Sequence, residues 1–161
     1  VKNVKDLETV DGLILPGGES TTIGLLCELY GLQNRIVEKV RAGFPVYGTC
    51  AGAILLSRWG VLDIDVERNG YGRQMNSFDA FLNCTKIGEK FFGQKPVRGI
   101  FIRAPKIKRA GASVNVLVEF ENAPVLLQQG NILASSFHPE LTDDMSIHEY
   151  FLNMCAKLKS P

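Results

Sequence analysis

The chain has 161 residues, 45% of them apolar and 22% charged, and its formal net charge is +1. Those values fit a single domain spanning residues 1–161, large enough to bury a substantial core. A charge this close to zero gathers neither nucleic acid nor an anionic membrane, and no apolar run approaches the length of a membrane span.

The four cysteines, Cys27, Cys50, Cys84 and Cys155, are widely spaced and form no CxxC pair. That spacing argues against a zinc site and against a disulfide framework, so no metal is expected. The first residues lack the pattern of a secretory signal, and free thiols suit a reducing compartment; a cytoplasmic setting is expected. Four basic residues cluster between Arg103 and Arg109 and read as a solvated connection rather than a binding patch.

In chain order, residues 1–9 are polar and lead into the apolar run Val10 to Leu15, a buried strand ending in the glycine loop Pro16-Gly17-Gly18. Ser20 or Thr21 then supplies a helix cap. Leu25, Leu26, Leu29, Leu32, Ile36, Val37 and Val40 recur at helical spacing, with Gly31 dividing two helices and Gly43 ending the second. Pro45 opens a second buried strand, and Ala51 to Leu56 begin a third helix. Thereafter Leu62, Ile64 and Val66 alternate, as do Val114, Val116, Val118 and Phe120, the period of half-buried strands. Ile100–Ile102, Val125–Leu127 and Ile132–Ala134 are further strand candidates, the last two joined by a turn at Gln129-Gly130-Asn131. A closing helix is expected from about Asp143 to Lys159, with Ile147, Tyr150, Phe151, Met154 and Leu158 on one apolar face.

This order predicts an α/β fold: a doubly wound, mostly parallel sheet with helices on both faces and an antiparallel strand excursion. The chain opens on what should be an inner strand of that sheet. The third helix also passes through Ser57 to Gly60 into the next strand with little room for a connection.

The chemistry gathers around Val46-Tyr47-Gly48-Thr49-Cys50-Ala51-Gly52, a strand that turns at a cysteine into a helix. Glycines two residues to either side give the spacing of a nucleophile elbow with sulfur in place of oxygen. The helix start favours thiolate and offers a donor to an oxyanion. A buried cysteine is also a common core residue, and the motif alone leaves both readings open. Of the two histidines, His148 reads as a solvated surface residue near the start of the last helix. His138 follows an apolar strand in Ser136-Phe137-His138-Pro139-Glu140, where an extended backbone would project His138 and Glu140 to one side. A carboxylate behind the imidazole would fix its tautomer. The amides of Gly18 and Ala51 are candidates for an oxyanion hole.

Together, Gly48-Thr49-Cys50-Ala51-Gly52 and His138-Pro139-Glu140 resemble the triad of class I glutamine amidotransferases. Three further stretches narrow the resemblance: Pro16 to Thr22 (PGGESTT), Glu67 to Gln74 (ERNGYGRQ) and Phe101 to Pro105 (FIRAP). These are similar to the glutaminase subunits of pyridoxal 5′-phosphate synthase, and the similarity runs over essentially the whole chain. It implies one glutamine amidotransferase domain that hydrolyses L-glutamine through Cys50, His138 and Glu140 by way of a γ-glutamyl thioester. Gly18 and Ala51 would form the oxyanion hole, and Gly18, Glu19, Ser20, Arg68, Ile102 and Arg103 would contact glutamine. For Arg68 and Arg103 the residues leave open a plain surface ion pair. The resemblance further implies no cofactor, and a synthase subunit as partner that receives ammonia for vitamin B6 biosynthesis. The family begins with a further strand and helix carrying a Leu-Gln-Gly motif, and has a longer segment at Arg58 to Gly60; this sequence contains neither. Two other readings are a class I glutamine amidotransferase of another pathway, as in histidine or purine biosynthesis, and an inactive module that binds the synthase.

Overall fold

The computed structural model describes residues 1–68, 70–71 and 77–158. Asn69, Gly72, Arg73 and Gln74 of the ERNGYGRQ stretch, and Lys159 of the expected last helix, lie outside the described residues. The first half runs α1 (Val4–Glu8), β1 (Leu13–Leu15), α2 (Ser20–Leu29), α3 (Leu32–Arg41), β2 (Val46–Thr49) and α4 (Ala51–Arg58). The second half runs β3 (Ile64–Glu67), β4 (Ser77–Cys84), α5 (Glu89–Phe92), β5 (Val97–Ile102), β6 (Lys106–Ala110), β7 (Asn115–Phe120), β8 (Ala123–Gln129), β9 (Ile132–Ser135) and α6 (Ser146–Lys157). Among the described residues no helix is long and apolar enough to cross a membrane.

Seven strands form one sheet in the order β1-β2-β9-β8-β7-β4-β5, while β3 and β6 pair as a separate ribbon. The pairs β1–β2 and β2–β9 are parallel, with Gly48 opposite Leu15 on one side and Ala134 on the other. From β9 outward every pair is antiparallel. The α/β architecture and its antiparallel excursion are as expected, but the sheet is mixed rather than mostly parallel. Parallel pairing needs long crossovers, and after α4 the chain continues through hairpins and short turns instead. Among the described residues β1 lies at the sheet edge, where Ile14 is 45% exposed, rather than inside the sheet.

Strand alternation sends side chains into two cores. Val46, Ile132, Ala134 and Leu127 pack with Leu56, Ile36 and Val40 on the face covered by α3 and α4, and the β3–β6 ribbon adds Ile64 and Ile107 there. Tyr47, Leu133, Leu126 and Phe137 face the other way, against Ile147, Phe151 and Met154 of α6. Helices therefore cover both faces. The second core contains an aromatic stack: the Phe78 and Phe101 rings lie parallel with centroids 4.5 Å apart, and Phe101 also meets Tyr71, Phe120 and Phe137.

Several local features depart from the sequence reading. The cap of α2 is Glu19, whose carboxylate accepts from the amides of Thr21 and Thr22, because Ser20 is already the first helical residue. Gly31 and Gly43 do interrupt and follow the helices as expected, both with positive φ. In β7 the alternation breaks: register shifts around Val118 leave Leu117 and Val118 both fully buried. The basic stretch near Arg109 is strand β6, with Arg109 bonded to Asp63 and Asp65 of the facing segment. The polar start folds as α1, capped by Asn3, around a buried Leu7. Leu158 is exposed, so the apolar face of α6 stops at Met154.

Two contrasting substitutions measure this division between core and surface. Phe101→Ala is expected to lower unfolding free energy by about 3–5 kcal/mol, since the ring is fully buried among four others. Arg109→Ala, which removes half-exposed ion pairs to Asp63 and Asp65, is expected to shift the unfolding midpoint far less; urea titration of both variants checks the contrast.

Candidate active site

The elbow forms because strand and helix pass closer than side chains allow. A Cβ on Gly48 would lie 2.7 Å from the Gly52 carbonyl carbon, and one on Gly52 would collide with the Leu15 carbonyl oxygen of β1. Between them Cys50 takes φ 49° and ψ −102°, a conformation that costs a non-glycine residue about 1–3 kcal/mol. Its amide donates to the Ser135 carbonyl at 2.8 Å, tying the turn to β9. The thiol is 6% exposed and stands at the first turn of α4.

His138 arrives from the neighbouring strand. Because β2 and β9 run parallel with Thr49 opposite Ser135, the residues just beyond their ends emerge at the same sheet edge. The His138 amide donates to the Ile100 carbonyl at 2.8 Å, and Ser135 Oγ donates to the Phe137 carbonyl at 3.0 Å. The Tyr47 hydroxyl donates in turn to Ser135 Oγ, also at 3.0 Å, bracing the stretch that carries the histidine.

Pro139–Leu141 forms a 3-10 turn, not the extended segment expected, and the turn brings Glu140 back under the ring. His138 Nδ1 and Glu140 Oε1 are 2.8 Å apart. Hydrogen bonding to Cys50, and then to Glu140, raises the imidazole to about 9 against the opposing effect of burial. Burial alone would push the Glu140 carboxyl up, but the imidazole holds it below its ordinary value.

The open side is a cavity of about 450 Å³. Gly18, Glu19, Ser20, Cys50, Ala51, Arg68, Ile102, Arg103 and His138 all line it, and Glu140 sits behind His138. Every residue expected to act on or contact glutamine is thus gathered at one place. Ile54 lines it too and was missed; it lies one helical turn beyond Cys50, which is the signal that would have found it.

Charge at the mouth is arranged in a way the sequence left open. Arg68 Nη2 donates to Glu19 Oε1 at 2.9 Å, and both side chains are about half exposed. The amides of Thr22 and Thr21 and the Thr22 hydroxyl hold the Glu19 carboxyl down at about 2, so it is ionised. Gly18 has φ 131°, and Arg103 has φ 45° on a residue with a side chain. Among the described residues the buried Ser20 hydroxyl has no hydrogen-bond partner. His148 is not the solvated residue expected. It is half-buried, its Nδ1 has no hydrogen-bond partner among the described residues, and its ring lies 6.3 Å from that of Tyr47. Among the described residues no three of His, Cys, Asp and Glu converge as metal ligands. The arrangement sets a thiol and a carboxylate-paired imidazole on one cavity wall, with the Glu19–Arg68 ion pair and Arg103 also lining the cavity.

Comparison with known proteins shows the family. The model of the SNO glutamine amidotransferase family matches residues 1–157. A pyridoxal 5′-phosphate synthase subunit PdxT from Kosmotoga olearia is 53% identical, over 94% of this chain and 82% of that protein. The subunit of the same name from Thermotoga neapolitana is 50% identical, over 96% and 84%. A crystal structure of a glutamine amidotransferase superposes with a TM-score of 0.87 at 43% identity, covering 97% of this chain and 85% of that one. The chain belongs to the SNO glutamine amidotransferase family.

Proposed function

We propose that this amidotransferase hydrolyses L-glutamine to L-glutamate and ammonia through Cys50, His138 and Glu140, and that the ammonia passes to a synthase subunit making pyridoxal 5′-phosphate. The observation that carries the chemistry is an imidazole hydrogen-bonded to a carboxylate and sharing the wall of a polar cavity with the Cys50 thiol. The names of the relatives carry the pathway and the partner, and favour it over histidine or purine biosynthesis.

In this reading Cys50 Sγ attacks the side-chain carboxamide carbon of glutamine, with its proton held by His138. The amides of Gly18 and Ala51 stabilise the oxyanion. Collapse breaks the C–N bond, and the imidazolium gives its proton to the departing ammonia. Water, deprotonated by the same imidazole, then adds to the γ-glutamyl thioester and releases glutamate and the thiol. Glu140 holds the tautomer that makes these transfers possible. At the mouth, Glu19 and Arg68 face the solvent as an opposed pair, matching the α-ammonium and α-carboxylate of a free amino acid. Ser20, Ile102 and Arg103 complete the contacts. The cysteines, all free, suit a reducing cytoplasm.

Cys50→Ala is expected to reduce glutamine hydrolysis by roughly four orders of magnitude or more, with the fold intact by circular dichroism. A glutamine-analogue electrophile should label Cys50 alone among the four cysteines; even labelling would point to an inactive binding module. Hydrolysis should rise when the synthase subunit is added, and equal rates with and without it would reject partner activation.

Ionisation predicts a pH signature in stability. His138 is raised from 6.5 to about 9, so its contribution is complete below pH 6.5 and disappears as pH rises through about 9. Glu140 is lowered from 4.5, so its contribution is present above pH 4.5 and disappears as pH falls through the depressed value. Glu140→Gln should therefore cost most between pH 4.5 and 6.5, about 1 kcal/mol for a part-exposed pair, and the deficit should close above pH 9. Urea unfolding at pH 6 and pH 9.5 measures the difference.

A further inference from the structure

Gly17 lies in the loop after β1, outside the set of residues expected to touch glutamine. Its neighbour Gly18 has a left-handed φ of 131°, and the nearest atom to a Cβ there is Ile23 Cδ1 at 3.4 Å, so Gly18 is glycine for its backbone. Gly17 is the reverse case. It is not among the residues of positive φ, so its backbone is open to any L-residue. What excludes a side chain is the histidine. A Cβ on Gly17 would collide with His138 Cε1, and it would stand 3.0 Å from Nδ1 and 3.3 Å from Nε2.

Three atoms of one ring meet a single bare Cα, so the loop is a wall against which the imidazole lies. The ring is also held by its hydrogen bond to Glu140, and it shares the cavity wall with Cys50. Its backbone is held separately, through the amide bond to Ile100. Any group added at Gly17 must therefore turn the ring about its side-chain torsions, away from both partners. We infer that Gly17 is a positioning residue for His138, its bare Cα forming the surface that sets the imidazole between thiol and carboxylate. The inference rests on His138 being the acid–base group of the proposed reaction. It assigns the first glycine of the PGGES stretch a task distinct from that of the second.

A methyl group would displace the ring by on the order of 1 Å, and misplacement of that size can cost roughly a hundredfold in rate. The test compares the full chain with its Gly17→Ala variant, each assayed for glutamine hydrolysis with the synthase subunit and titrated by NMR at His138 Hε1. The expected result is a kcat lower by about a hundredfold, a KM within about threefold, and a His138 midpoint moved from about 9 toward 6.5. Unchanged kcat with an unchanged midpoint would overturn the inference, as would a loss of activity in which the midpoint does not move. If the variant fails to fold, an Overhauser contact between the Gly17 α protons and His138 Hε1 in the unmodified chain supports the wall, and its absence overturns it. Full activity in His138→Asn would defeat the catalytic reading itself, and it is scored apart from anything seen at Gly17.

Discussion

The tight passage of α4 over the ends of β1 and β2, where neither Gly48 nor Gly52 has room for one more carbon, is the constraint on which the site depends. It forces the turn into the single residue between strand and helix, and so into the strained backbone of Cys50. Parallel strands on both sides of β2 do the rest. β1 ends in the loop that carries Gly17, Gly18 and Glu19, and β9 ends in the stretch that carries His138. Three chain segments far apart in sequence meet at one edge because three strand ends meet there. The antiparallel half contributes a rigid backing, through the Ile100 carbonyl and the aromatic stack around Phe101.

Electrostatics at the site divides into a drier part and a wetter part. His138 is nearly buried while Glu140 is 40% exposed, so their pairing is only partly shielded from water. Glu19 and Arg68 are about half exposed, and their attraction contributes little to stability. Glu19 is held by the amides of Thr21 and Thr22 and by Arg68 at once, which fixes its carboxylate at the mouth of the cavity.

The parts of this picture legible in the sequence were those with short-range causes. Gly48-Thr49-Cys50-Ala51-Gly52 announces a turn, Gly31 a break between helices, and Gln129-Gly130-Asn131 a hairpin, because each depends on a few adjacent residues. The site residues were legible through motif resemblance, and each expected contact lines the cavity or backs it. What stayed hidden needed long-range information. The polarity of Lys106 to Ala110 masks a strand that exists because Asp63, Asp65 and Glu67 stand opposite it. Strand β4 carries a readable alternation of Phe78, Ala80, Leu82 and Cys84, but its partners come from β5 and β7. The orientation of His148 depends on how α6 lies against Tyr47, which its own helix does not reveal. The approach of Gly17 to His138 is likewise a contact between distant segments.

The parallel pairing of β2 with β9 has a consequence in time as well as in space. Val46 is matched with Ile132, so most of the chain must be in place before the second side of β2 is covered. Contacts of such long range form late, after loop closure over the intervening residues. A chain emerging from the ribosome thus exposes Cys50 well before His138 has been synthesised. Until β9 slots beside β2, the Cys50 thiol has no imidazole beside it, and the site takes shape only as that side of the sheet is fastened.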